Sequence, residues 1–559
     1  MTFRPVCEFV ERSADRLTIG VHLRGGDVGP EALFALRLRP RWQRPVLTVQ
    51  APVLERVNTV GRRSWTALRF SVPVDQLPNA ALCLEIARVG TAGWTVIGTT
   101  PGLLACSRPE PVGTRRVQVL PGAGQSATWL RLSSWTRSAQ MGWRVRNATR
   151  ELAFVLHRRR FSWVRPVRLL TRPLVPRGQI WLVGERPETA RDNGFAFFTH
   201  LRRERPEEPI YYVIAKDSPM AADVAALGHV VWHSSWRHRL LMLHAAVIAN
   251  AYSIKHMLPS RWRPGAYMNQ CAWRVGARRV YLKHGVHVSP DAVKRGNGGY
   301  DLIATVGAQE ASALARTSGY TAAQLRQTGL ARYDNLVPQR PSRTVLFMPT
   351  WRRYLVPKLF GGDDTALVGY QGSTYQRFVH GLLASDELAR VLTRHDLTLQ
   401  VVPHYNLAGL LHPDQLGSDR IMILDGTTAD IPHLLRSCAL LLTDYSSVQF
   451  DVAYVGAPVV YAQFDREEYE AGHGGTSWFD AERDGFGPVV TTIAQTVQAL
   501  EDYAADAFVR EAHYDSQVRR IFSHDDRQNC ARIAHAVDDL VATASSTVRT
   551  NHSMGRYTP

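Results

Sequence analysis

Short apolar runs separated by Gly, Pro and Asn dominate the first 126 residues. RLTIGVHL, ALFALRLRP, PVLTVQAPVL, TALRFSVPV and ALCLEIARV each have a strand's length, and no helical period interrupts them. Closely spaced strands with such turns predict a small all-β, sandwich-like unit over 1–126. From Gln179 the texture changes. QIWLVG, PIYYVIA, HVVWHS, AAVIANA, RVYLKHG and DLIATVG alternate with helical stretches, an α/β unit placed at 178–337. Beyond Pro338 and Pro341, the runs TVLFMP, LQVVP, RIMIL, CALLLT and PVVYA repeat the alternation over 338–545, and 546–559 reads as a flexible tail. Such alternation predicts doubly wound parallel sheets. Ligands gather beyond the carboxyl ends of strands in sheets of this kind, so the residues that follow each apolar run become candidates for chemistry.

Between the β unit and the first α/β unit, 127–177 is a linker of another character. Ten arginines lie between Trp143 and Arg177, interleaved with Phe154, Leu156, Phe161, Trp163 and Leu169 and opposed only by Glu151. Aromatics at headgroup depth with arginines on phosphates suit an anionic membrane surface; an arginine-rich linker packed on the next unit would read the same way. The whole chain carries a formal charge of +18, nearly all of its positive charge being arginine. That balance implies acidic partners, whether phosphate-rich substrates, anionic lipid or nucleic acid. Zinc spacing, RNP-type aromatic strands and a recognition helix are missing from the sequence, which argues against nucleic acid. Six scattered cysteines read as buried thiols. With no secretory leader and no apolar run of about 18 residues, the expected location is cytoplasmic, with peripheral contact to the inner face of the membrane.

The sharpest local pattern is CALLLTDYSSVQFD, Cys438 to Asp451. An apolar strand breaks at Thr443-Asp444 and restarts as a helix near Ser446. Free amides in the first helical turn, joined by the hydroxyls of Ser446 and Ser447, make a seat for a diphosphate. The same Asp444 or Ser446 could instead simply cap the helix. VLFMPTWRR, 345–353, ends its strand at Pro349-Thr350-Trp351 and delivers Arg352, whose planar fork grips two phosphate oxygens at once. Lys283-His284-Gly285 follows the strand RVYL, and His404 ends LQVVP. An imidazole near its ordinary pKa takes a proton from a hydroxyl at neutral pH.

TDYSSVQFD followed by GAPVVYAQFDREEYEAGHGG, together with PTWR and the His-Gly pair, resembles the CDP-glycerol glycerophosphotransferases. The resemblance runs from about Gln179 to Val541 and is dense from Leu435 to Gly475. It implies a GT-B-like pair of Rossmann-type domains facing a cleft. It also implies transfer of a polyol phosphate from CDP-glycerol or CDP-ribitol to a lipid-linked, teichoic-acid-like polymer, with release of CMP. On this reading His284 is the general base and His404 meets the transferred phosphoryl group. Arg352, Thr443, Ser446, Ser447 and Asp451 hold the donor phosphates, while Gly285, Asp291, Asp425, Thr428 and Asp444 contact acceptor or nucleotide. No cofactor and no tightly bound metal is expected; Asp363-Asp364 and Asp525-Asp526 read as loop acids without a ligand set. Asp192-Asn193-Gly194 supports the fold assignment first and acceptor binding second, and Asn193-Gly194 is also an ordinary turn dipeptide. Where the family has Trp-His-Gly and a Thr-Pro pair, this chain has Lys283-His284-Gly285 and then Val-His-Val-Ser-Pro. The alternative readings are a GT-B glycosyltransferase using a nucleotide sugar and a non-catalytic basic protein.

Overall fold

The computed structural model describes residues 3–57, 65–134, 161–289, 295–339, 342–352, 369–403, 416–474 and 477–553, apart from short breaks within these blocks, chiefly inside 101–109, and with isolated residues between them.

The amino-terminal strands run from Arg4–Arg12 to Thr128–Ser134 and pair almost entirely antiparallel. One long strand, Leu47–Val57, belongs to both halves of the sheet. Its first part pairs with Leu33–Pro40 and its second with Trp65–Pro73, with a register shift between Val53 and Glu55. A strand that changes partners at such an irregularity folds the sheet back over itself. Ile19, Val21 and Phe70 from one half then meet Leu36, Leu84 and Leu130 from the other in a single core. The unit reaches past the expected boundary at 126, because Thr128–Ser134 pairs with both Ala81–Arg88 and Arg115–Pro121. It leans on the next unit through Arg69, which donates to the Ala315 carbonyl at 2.8 Å.

In the linker, Met141, Val145, Leu152 and Leu156 are helical and exposed, whereas Arg144, Arg146, Arg150, Arg158, Arg159 and Arg160 lie outside the described residues. Helix α1, Val164–Thr171, is anchored by Phe161 and Trp163, which pack on Trp262, and by Arg168, which donates to the carbonyls of Arg274 and Val275.

The first parallel sheet contains, in chain order, Ile180–Gly184, Ile210–Ile214, Val230–Trp232, Ala245–Asn250, Arg278–Tyr281, Leu302–Ala304 and Leu325–Arg326, arranged across the sheet as 3-2-1-4-5-6-7. The second contains Thr344–Met348, Thr398–Val401, Ile421–Ile423, Leu440–Thr443, Val459–Ala462 and Val489–Val490 in the order 3-2-1-4-5-6. Each reverses direction beside its first strand, so a crevice opens beyond the strand ends there. Helix α2, Asn193–Glu204, begins at the first sheet's crevice. Its start approaches the strand end so closely that a Cβ on Gly194 would sit 2.6 Å from the Gly184 carbonyl oxygen. Only glycine permits that approach. Helices α3 (Ala308–Thr317), α4 (Ile431–Ser437) and α5 (Val448–Val455) complete the site's frame.

The last helix, α6 (Asn529–Ser553), corrects the expected layout, in which the second unit ran to 545 and a tail followed. Cys530, Ile533, Ala534 and Val537 enter the core of the first unit with Trp181, Val183 and Phe197. The Asp334 carboxylate receives the amides of Asn529 and Cys530, both at 2.8 Å, and so offsets the positive end of the helix. The described cysteines are free and buried; Cys106 lies outside the described residues.

Candidate functional site

Strand Arg278–Tyr281 carries the chain to the cleft, where Lys283 adopts a left-handed backbone at φ +62° and His284 turns outward while its neighbours are buried. The imidazole stacks on Tyr252, with ring centres 4.6 Å apart and planes 9° from parallel, and Arg186 lies over the same tyrosine at 4.7 Å. His287 presents its edge at 4.9 Å and is itself bonded to the Tyr281 hydroxyl. The His284 ring is open to the cavity, yet enough protein surrounds it that desolvation lowers its pKa; Arg332, Arg186 and Lys283 add to the lowering and Asp192 opposes it. The group is therefore a neutral imidazole at pH 7, able to accept a proton.

The facing wall comes from the second unit. Strand Leu440–Thr443 ends and α5 begins with Ser447 at its cap position, where the hydroxyl makes no capping bond. A Cβ built on Gly285 would lie 3.3 Å from Ser447 Oγ, so the His284 turn sits close against the helix start. A cavity of about 440 Å³ joins the two walls, with Glu185, Asp192, Tyr252 and His284 on one side and Ser447 and Gly426 on the other. The positive end of α5 and a free Ser447 hydroxyl favour an anion, and a neutral imidazole opposite them can deprotonate an incoming hydroxyl.

Residues 167–539, well over half of the chain, match the family model described as CDP-Glycerol:Poly(glycerophosphate) glycerophosphotransferase. The chain belongs to this family. It is 24% identical over 369 residues to the minor teichoic acid biosynthesis protein GgaB of Bacillus subtilis (strain 168), a match covering 65% of this chain and 40% of GgaB. It is 37% identical over 76 residues to the teichoic acid poly(glycerol phosphate) polymerase of the same organism, covering 14% of this chain and 10% of that one. The chain thus spans less than half the length of either relative. Among solved structures, the wall teichoic acid polymerase TagF superposes with a TM-score of 0.48 at 14% identity, covering 71% of this chain and 98% of that chain.

In this glycerophosphotransferase-family chain the cavity is lined by His284, Ser447 and Asp451 of the expected residues, and Gly285 lies close to Ser447. Ser446 lies in the same turn, its carbonyl receiving the Gln449 amide. Asp425 and Thr428 form the turn leading into α4, where the Asp425 carbonyl accepts the Thr428 amide at 3.1 Å. Gly426 of that turn reaches the cavity. His404 and Asp291 lie outside the described residues.

Four expectations are corrected. Arg352 is fully buried, forked onto Asp465 at 2.6 and 2.8 Å and bonded to Asp444 at 2.9 Å and to the Thr350 carbonyl. Burial alone would lower its pKa, but Asp444 and Asp465 outweigh that and hold it well above the usual arginine value. The guanidinium is spent on structure and does not reach the phosphate seat. Thr443 is buried and donates to the Met348 carbonyl, tying two strands together. Asp444 receives the amides of Thr350 and Tyr445 as well as Arg352, so it organises the turn before α5 and does not line the His284 cavity. Asp451, a carboxylate that would repel a phosphate, pairs with an arginine that the sequence did not single out.

That arginine is Arg332. Its fork meets both oxygens of Asp451 at 2.8 Å, and its remaining nitrogen donates to Asp192 at 2.6 Å and to the His284 carbonyl at 2.7 Å. It therefore joins the two walls of the cavity through one side chain. Glu185 lines the same cavity. Its carboxylate receives the amides of Arg191, Asp192 and Phe195, yet burial, with Asp192 beside it, pushes it up to about 8. Asn193, read from sequence as a turn residue, is buried and bonds the Lys283 carbonyl and the Arg332 amide. Arg332 stands in LARYD, a short 3-10 turn with no periodic pattern, and nothing local marks it.

Proposed function

We propose that this chain transfers glycerol phosphate, or a related polyol phosphate, from a CDP-linked donor to a hydroxyl of a lipid-linked, teichoic-acid-type polymer, releasing CMP. What supports the reading most is the shared cavity in which His284 faces Ser447 and the start of α5, in a chain of this family. The acceptor hydroxyl gives its proton to His284 as its oxygen bonds the β-phosphorus. The bond from that phosphorus to the bridging oxygen breaks, and CMP leaves with the electron pair. The Ser447 hydroxyl and the positive end of α5 meet the charge on the phosphates, where fixed dipoles act without reorganising. Two doubly wound units facing one cleft in GT-B fashion suit a donor bound on the α5 side and an acceptor on the His284 side.

The acceptor's lipid anchor places the enzyme at the inner membrane face. Among the described residues no helix is long and apolar enough to cross a membrane. Leu169 and Leu170, 78% and 77% exposed, stand on α1 with Arg165, between Trp163 before the helix and Arg172 and Leu174 in the turn after it, a combination that suits anionic headgroups. Nucleic acid has no part in this reading.

The test incubates purified protein with CDP-glycerol, CDP-ribitol or UDP-sugars and a lipid-linked acceptor, following CMP and UDP. CMP release is expected, with an acid limb below the ordinary imidazole value of about 6.5 and a loss of about 10²- to 10⁴-fold in kcat for His284→Asn. Release of UDP with no CMP would replace this reading with nucleotide-sugar transfer.

A further inference from the structure

Beneath the cavity lies an ion pair that the reaction as described does not use. Lys283 and Glu310 are both fully buried, and the Lys283 ammonium contacts one carboxylate oxygen of Glu310. That same oxygen also receives the His287 amide at 3.3 Å, and the other oxygen receives the Val306 amide at 2.9 Å. One carboxylate in the first turn of α3 thus holds the residue before His284 and a residue three places after it.

The backbone between those anchors is strained. Lys283 sits at φ +62°, a conformation that side chains with a Cβ disfavour and that persists only where the surroundings over-determine it. Here the surroundings do so. The Lys283 carbonyl accepts Asn193 Nδ2 at 2.9 Å, the Leu282 amide donates to the Asn250 carbonyl, and the His284 carbonyl accepts Arg332. A glycine would satisfy the left-handed backbone more cheaply, but it would supply no cation for Glu310. A buried pair is a weak device for stability, since desolvating two charges offsets most of their attraction. What it provides is geometric uniqueness at a turn whose tip must put an imidazole on Tyr252 and a glycine against Ser447.

We propose that Lys283 and Glu310 are positioning residues for His284, clamping its turn so that the imidazole keeps one orientation towards the acceptor. This rests on the reading of His284 as the base. The charged and titratable groups facing that imidazole are Asp192, Arg332, Arg186, Lys283, His287 and Tyr252. Removing the pair takes away the Lys283 charge and frees the turn to move among the others.

The test is the double variant Lys283→Met/Glu310→Leu, which replaces both charges with apolar groups of similar size and so leaves no orphaned ion. Melting below the parent's is expected, since the His287 and Val306 amides lose their acceptor, together with kcat lowered about 100-fold, the scale of a catalytic group displaced by about 1 Å. KM for CDP-glycerol should stay within about twofold of the parent's, as the α5 wall is untouched, and the acid limb should move to higher pH. A double variant with parental kcat and an unmoved acid limb would overturn the proposal and leave the pair as core filling. Should the double variant not fold, Glu310→Gln is measured instead. It keeps an acceptor for one of the two amides but releases the ammonium, and a parental kcat there overturns the proposal equally. A substrate-free arm separates this from the proposed activity. The pH dependence of diethyl pyrocarbonate modification at His284, read by peptide mass, should shift upward in the double variant whether or not CDP-glycerol turns over. No shift would count against the clamp alone, whereas a shift in a protein inert to every CDP-polyol would count against the activity alone.

Discussion

Replacing Arg332 by Met removes the cation that joins the two walls of the cavity. In the parent, its fork holds Asp451, whose side chain is 1% exposed, and its other nitrogen holds Asp192, 13% exposed, from the opposite unit. Loss of one partner from a buried pair costs about 3–5 kcal/mol, because the remaining charge stays desolvated. At about 2–4 °C per kcal/mol for units of this size, the melting transition should fall by about 6–20 °C. The deficit depends on pH, and its sign follows from Asp451. Burial raises the pKa of that carboxyl and Arg332 opposes the rise. Without Arg332 the folded value climbs further above the unfolded value of about 3.9, so protonation relieves the fault. Stability in the variant is thus fullest below the unfolded pKa and is lost as pH rises through the folded one. Thermal melts of parent and Arg332→Met at pH 5 and pH 8 should show the larger gap at pH 8. A gap under about 1 °C at pH 8, or a gap that widens in acid, would refute the account of Arg332 as a buried tie.

Two further outcomes follow from the same geometry. Arg352→Met strands Asp444 and Asp465 in the interior, so it should lower the melting temperature on the same scale, about 3–5 kcal/mol, without a selective rise in the donor's KM; an undisturbed melt with a raised KM would restore the phosphate-binding role first expected of Arg352. Glu185, raised to about 8, binds its proton more tightly folded than unfolded, so its contribution is full below the unfolded value of about 4.3 and is lost as pH rises through 8. Urea titrations between pH 5 and 8.5 should show a steeper loss of stability in the parent than in Glu185→Gln, and identical slopes would contradict the assignment.

Local pattern carried much of the fold. Strand-length apolar runs marked both parallel sheets, and the break of CALLLT into TDYSS marked the start of α5, because a change of hydrophobic period is written within a few residues. The position of His284 immediately after a strand was legible for the same reason. The boundary at 126 fell short because TWLRLSS is a strand only by virtue of partners reached across the unit.

Tertiary structure decided where each arginine's charge goes. Arg352 is sealed against Asp465, 113 residues away, whereas Arg332 ties Asp451, 119 residues away, to the opposite wall. A guanidinium carries no local address; its place is set by whichever carboxylates the fold brings within about 3 Å, and those lie far off in the chain. The sequence places α6 with the second unit, whereas packing puts Cys530, Ile533, Ala534 and Val537 in the core of the first. Sequence alone therefore determined the elements and the chemical types at their ends, and packing determined which of those groups are spent on each other and which are left facing the cavity.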